Sequence, residues 1–168
     1  MHTTAFRTFL GIATILSIAL LPSIGSAEIQ GFLKIPGLDG ESQAKAHERE
    51  IDLASYTQTV GTAACFKASV VKGLDKASPG LAVLAATNQV VTPVTVTLAT
   101  PVKESFFAVL TVLLENVTVA NLELVEIDGS PTPTERVTLR ARRVTLTYRA
   151  QDPNGNDLPP ITTVINCP

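Results

Sequence analysis

His47 is the one histidine beyond residue 27, and it lies in the run HERE with Glu48 and Glu50. An imidazole among carboxylates is suitable material for a zinc site or for acid–base chemistry. Zinc would need further His or Cys ligands at fixed spacing, and neither H-E-x-x-H nor H-x-x-E-H occurs. A Ser–His–Asp hydrolase would have to recruit His47, yet no G-x-S-x-G elbow presents a serine to it. His47 therefore reads as a member of a charged loop, paired with a carboxylate. No catalytic residue, metal ligand or cofactor is expected, and the chain reads as a non-enzyme.

Arg140, Arg142, Arg143 and Arg149 gather positive charge on one segment. Such a row can take an anionic ligand, but pairing with Glu104, Glu115 or Glu123 across a sheet or subunit boundary is the commoner use. Asn116-Val117-Thr118 matches the glycosylation sequon, which matters only in a eukaryotic secretory route. With no Trp and 5% aromatic residues, the chain offers no ring platform for stacking sugars.

The elements that must position these groups are mostly strands. Apolar alternation marks Glu28–Pro36, Ile51–Thr59, Cys65–Val71, Val90–Thr100, Ser105–Val125, Thr134–Gln151 and Ile161–Asn166 as strands. Pro93 cannot donate to a ladder, which puts it at a strand start or a sheet edge. Phe106–Leu114 is apolar on both faces and calls for cover from the helix, a second sheet or another subunit. In Thr134–Gln151 the apolar positions switch from odd to even at Arg142-Arg143, which predicts a β-bulge there. Asp128-Gly129 and Pro153-Asn154-Gly155-Asn156 read as turns. The segment Glu41–Glu50, ESQAKAHERE, lacks apolar periodicity and reads as a solvated excursion.

One helix interrupts this pattern, within Asp75–Gln89. Ser78 reads as its N-cap and Pro79 as its first residue, with Leu81, Leu84 and Ala85 forming the core-facing stripe. About nine residues cannot hold a helix alone in water, so it must lie on a sheet. The fold class is mainly β: a compact β-barrel of two sheets with one short α-helix packed on its flank.

Residues 1–27 read as a secretory signal. Arg7 lies in a short basic region, Phe9–Leu21 is an apolar run too short to span a membrane, and cleavage is expected between Ala27 and Glu28. The remaining 28–168 forms one domain. The net formal charge of −2, or −3 once Arg7 leaves with the signal, argues against nucleic acid as partner. Cys65 and Cys167 both survive cleavage and are expected to join in an oxidising compartment. The bridge would close a loop of roughly 100 residues and contribute about 4 kcal/mol in the chain-entropy model. The chain is placed in the periplasm or outside the cell, with no stable membrane insertion after cleavage.

Laid out in order, FLKIPGLDGES at Phe32–Ser42, AHEREID at Ala46–Asp52, VVKGLDKASPGLAVLAA at Val70–Ala86, and the strand pair FFAVLTVLLENV and ERVTLRARRVTLTYRAQD resemble the Hcp family. These are the haemolysin-coregulated proteins that form the tube of type VI secretion systems. The most specific match is G-E-S, then H-x-x-E-I, then D-K-x-S-P, in that order and spacing. The resemblance implies a non-enzymatic β-barrel assembled into hexameric rings, which stack into a tube and can hold effector proteins or meet other secretion-system components. It also implies that the loop bearing Glu41, Ser42, His47, Glu48 and Glu50 touches neighbouring subunits. The chain departs from the family pattern in its signal peptide, its cysteine pair, and Ser55-Tyr56-Thr57-Gln58 in place of an aromatic W-S-W-type segment. The alternative is an exported monomeric barrel that binds a peptide or small effector.

Overall fold

A computed structural model describes residues 28–62, 65–125 and 133–168. The signal segment and the Asp128-Gly129 turn lie outside these residues. The order is β1 (Gln30–Lys34), β2 (Ile51–Leu53), β3 (Ser55–Gly61), β4 (Cys65–Gly73), α1 (Ser78–Thr87), β5 (Val94–Val102), β6 (Ser105–Val125), β7 (Thr134–Tyr148) and β8 (Ile161–Asn166). The mainly β barrel with a flanking helix is what the sequence predicts. Its strands, however, form one continuous eight-stranded sheet, not two.

That sheet runs β2-β1-β5-β6-β7-β4-β3, all pairings antiparallel, with β8 on β7. Its ends, β2 and β3, are consecutive in the chain and separated only by Ala54, whose N–H donates to the Val71 carbonyl of β4. The sheet therefore curls until its edges meet. Alternation is the cause: inward side chains such as Leu33, Ile51, Phe66, Val70, Val96, Val112, Leu114 and Leu139 form one buried cluster that only a curled sheet can enclose. The single strand expected over Ile51–Thr59 is broken at Ala54, so that β2 pairs with β1 and β3 with β4.

The bulge predicted at Arg142-Arg143 is not there. Ala141 and Val144 are both buried and the two arginines between them both face out, so the face does switch. Yet the register with β6 stays constant through Val117↔Ala141, Glu115↔Arg143 and Leu114↔Val144. Opposite Arg142, Asn116 takes a left-handed φ of 53°, a conformation asparagine tolerates. Both strands thus change face in step, without an inserted residue. The true register shifts lie in β6, at Ala120 against β7 and at Val109 against β5.

The helix starts where the sequence places it, with Pro in its first turn, but Ser78 does not cap it. Ala77 is the N-cap and no side chain bonds the first-turn N–H groups. Ser78 Oγ is occupied elsewhere, donating to Glu135 Oε2 at 2.7 Å. Leu81 and Leu84 enter the core and Ala85 packs partly buried against it. A Cβ at Gly80 would meet the end of the Leu38 side chain, so the helix lies directly on the turn after β1. Asn88 ends it in the left-handed conformation.

Candidate functional site

Three features outside the apolar core have the geometry to act, and the sequence-predicted residues distribute among them. The first anchors the helix. Lys72 on β4 is completely buried, and its Nζ lies 2.8 Å from Asp75 Oδ1 and 2.9 Å from Glu135 Oε2. It also donates to Ser78 Oγ at 3.0 Å and to the Gly73 carbonyl at 2.7 Å. A charge taken out of water needs such a shell. The network joins β4, β7 and the start of α1, and so fixes the D-K-x-S-P segment on the barrel. Lys72 and Glu135 were not anticipated from sequence. The available signal is register: Phe66, Ala68 and Val70 are buried at alternate positions of β4, and Lys72 is the next position on that inward face.

The second is the loop 41–50, which folds back on its own subunit instead of standing free. Gly40 N–H donates to the Arg49 carbonyl and Arg49 N–H to the Ser42 carbonyl, at 2.8 and 2.9 Å. A Cβ at Gly40 would clash with the Glu50 backbone, so only glycine permits this approach. His47 stacks on Phe32 with ring centroids 4.0 Å apart and meets Phe106 edge-on at 6.0 Å. Its Nδ1 lies 2.9 Å from Glu50 Oε2. Ser42 is buried, while Glu41 and Glu48 remain exposed. Of the predicted subunit-contact residues, then, Ser42, His47 and Glu50 are engaged internally and Glu41 and Glu48 face outward. Among the described residues no group of His, Cys, Asp or Glu is arranged to hold a metal ion.

The third surrounds Cys65 and Cys167, which form a disulfide with Cα atoms 5.5 Å apart across a sequence separation of 102 residues. β4 and β8 lie end to end along the same flank of β7: Lys67 pairs with Arg140, and Asn166 with Arg143. The bridge closes the junction between them, and Cys167 N–H adds a bond to the Arg142 carbonyl. Beside it opens a cleft of about 590 Å³ lined by Asn88, Asn116, Thr118, Arg140, Arg142 and both cysteines, among others. Of the arginines on β7, Arg143 pairs with Glu115 at 3.4 Å and Arg136 with Glu123 at 3.9 Å, each being its register partner. Of the four arginines expected to pair with a carboxylate, Arg143 does so, with Glu115, whereas Glu123 is taken by Arg136. Burial pushes the Tyr56 phenol up from its ordinary value, and its hydroxyl donates to Gln58 Oε1 at 2.6 Å.

Among the described residues no helix is long and apolar enough to cross a membrane. A search of curated proteins returns no match. Solved structures do share the fold. Hcp1 from Salmonella typhimurium superposes with a TM-score of 0.71 at 23% identity, covering 82% of this chain and 94% of that one. A type VI secretion system effector from Yersinia pestis gives 0.67 at 20% identity, covering 81% and 98%. The secreted protein Hcp3 from Pseudomonas aeruginosa gives 0.66 at 15% identity, covering 84% and 99%. The family model described as type VI secretion system effector, Hcp, matches residues 32–148, from the His47-stacking Phe32 to the end of β7, and the chain accordingly belongs to the Hcp family.

Proposed function

We propose that this chain is an exported, non-enzymatic structural protein that self-assembles into hexameric rings able to stack and to hold effector cargo. The observation that carries the reading is the family match over residues 32–148, from within β1 to the end of β7. The surface supports it. Val83 and Val90 stand 57% and 54% exposed at the helix, and Ile161 and Val164 stand 68% and 46% exposed on β8, apolar area that a second copy would cover. Contacts between unlike faces of identical chains close a ring when the rotation permits. In this assembly Glu41 and Glu48 of the loop touch the neighbour, while Ser42, His47 and Glu50 hold the loop in shape.

Export rests on the signal pattern of residues 1–27 together with the disulfide, a bond that persists in oxidising compartments. The protein acts in the periplasm or outside the cell. Sequencing the N-terminus of the secreted form tests the cleavage: a start at Glu28 is expected, and a retained Met1 contradicts export by this route. Electron microscopy and native mass of the same material test assembly. Six-fold rings are expected; a strict monomer at high concentration returns the chain to the alternative of a monomeric exported binding module.

A further inference from the structure

We propose that the cleft beside the disulfide is an oxyanion-binding site, with Arg140 and Arg142 as the groups that hold the ligand. The two residues flank buried Ala141 on β7 and share its outer face, about 7 Å apart along the strand by ordinary strand spacing. Both line the cleft. Among the described residues neither guanidinium makes an ion pair, although Arg136 and Arg143 on the same strand each do. The register explains the difference. Arg143 faces Glu115 and Arg136 faces Glu123, but Arg140 faces Thr118 on one side and Lys67 on the other.

Like charges directly opposed in a sheet destabilise it. Here Lys67 and Arg140 are so opposed, both exposed, on a chain whose net charge is negative. Among the described residues no Asp or Glu side chain lines the cleft, the Pro168 carboxyl stands at its border, and Asn88, Asn116 and Thr118 supply neutral hydrogen-bonding groups around the cations. Two guanidinium forks with amide and hydroxyl donors beside them match a phosphate or carboxylate, each of which presents paired oxygens to a fork. The ligand class is a small molecule or peptide side chain bearing one such group.

The test is titration of the disulfide-bonded protein with inorganic phosphate and, separately, with succinate, at constant ionic strength held by sodium chloride. Calorimetry and thermal unfolding are read together. Saturable binding is expected, with Tm rising by about 5 °C at a tenfold excess over Kd. Binding to phosphate alone assigns a phosphate ligand, and binding to succinate alone a carboxylate one. The double variant R140Q/R142Q should lose the response by tenfold or more in Kd, and should itself gain thermal stability in ligand-free buffer as the repulsion with Lys67 is relieved. K34Q/R149Q, which makes the same charge change elsewhere, should keep the response. Absence of saturable binding to either anion, or equal binding by R140Q/R142Q, overturns the proposal.

Discussion

Lys72 carries a full charge with no access to water, and its four partners come from three elements brought together only by folding. Glu135→Ala would leave Lys72 with Asp75 as its one carboxylate partner, and loss of a hydrogen bond to a charged group costs about 1.5–3 kcal/mol. Urea unfolding of the variant checks the figure. Exposed charges behave differently. At the Asp152–Asn156 turn, the Asn156 side-chain amide, the Asn156 N–H and the Asn154 N–H all bond the Asp152 carboxylate and hold its pKa below the ordinary value. A depressed carboxylate stabilises the fold above its unfolded pKa and ceases to do so as pH falls through the folded one. Amide exchange at Asn154 and Asn156 should therefore accelerate selectively as pH drops below about 4, after correction for intrinsic rates. The turn was legible in sequence because Asp, Asn and Gly act locally. Lys72 was not: a lysine on a strand reads as solvent-facing, and Glu135 lies 63 residues away.

At the scale of elements, α1 is held by two means, the Lys72 network at its start and the Leu81–Leu84 stripe beneath it. Leu84 enters the barrel of its own subunit, so Leu84→Asp places a carboxylate in the core and should unfold the monomer, not merely separate subunits. Circular dichroism alongside native mass distinguishes those outcomes. β8 is the opposite case, an exposed strand paired on one side only and tied to the body by the disulfide. Cys167→Ser should cost about 2–5 kcal/mol, and hydrogen exchange should show β8 opening before the rest of the sheet. Strand existence was plain from alternation, and β6 matches its predicted bounds of Ser105–Val125. What alternation does not encode is how faces change. The switch at Arg142-Arg143 was visible, but its cause sits across the ladder in left-handed Asn116, and the register shifts sit at Val109 and Ala120. Similarly, the break at Ala54 is set by closure of the sheet, a tertiary demand with no local signal.

For the whole molecule, one curled sheet and the helix enclose a single core, and apolar side chains stay exposed at the helix and on β8. The ordered motifs G-E-S, H-x-x-E-I and D-K-x-S-P pointed to the family because each marks a tight packing point: Gly40 against Glu50, His47 on Phe32, and Ser78 and Asp75 on Lys72. Contact between copies has no comparable local motif; its sign is exposed apolar side chains such as Val83, Val90, Ile161 and Val164, which strand alternation alone does not single out. The most direct measurement is native mass spectrometry with electron microscopy on the secreted, disulfide-bonded chain across a wide concentration range. A hexamer seen as a six-fold ring is expected. A folded protein that remains monomeric at every concentration would contradict it.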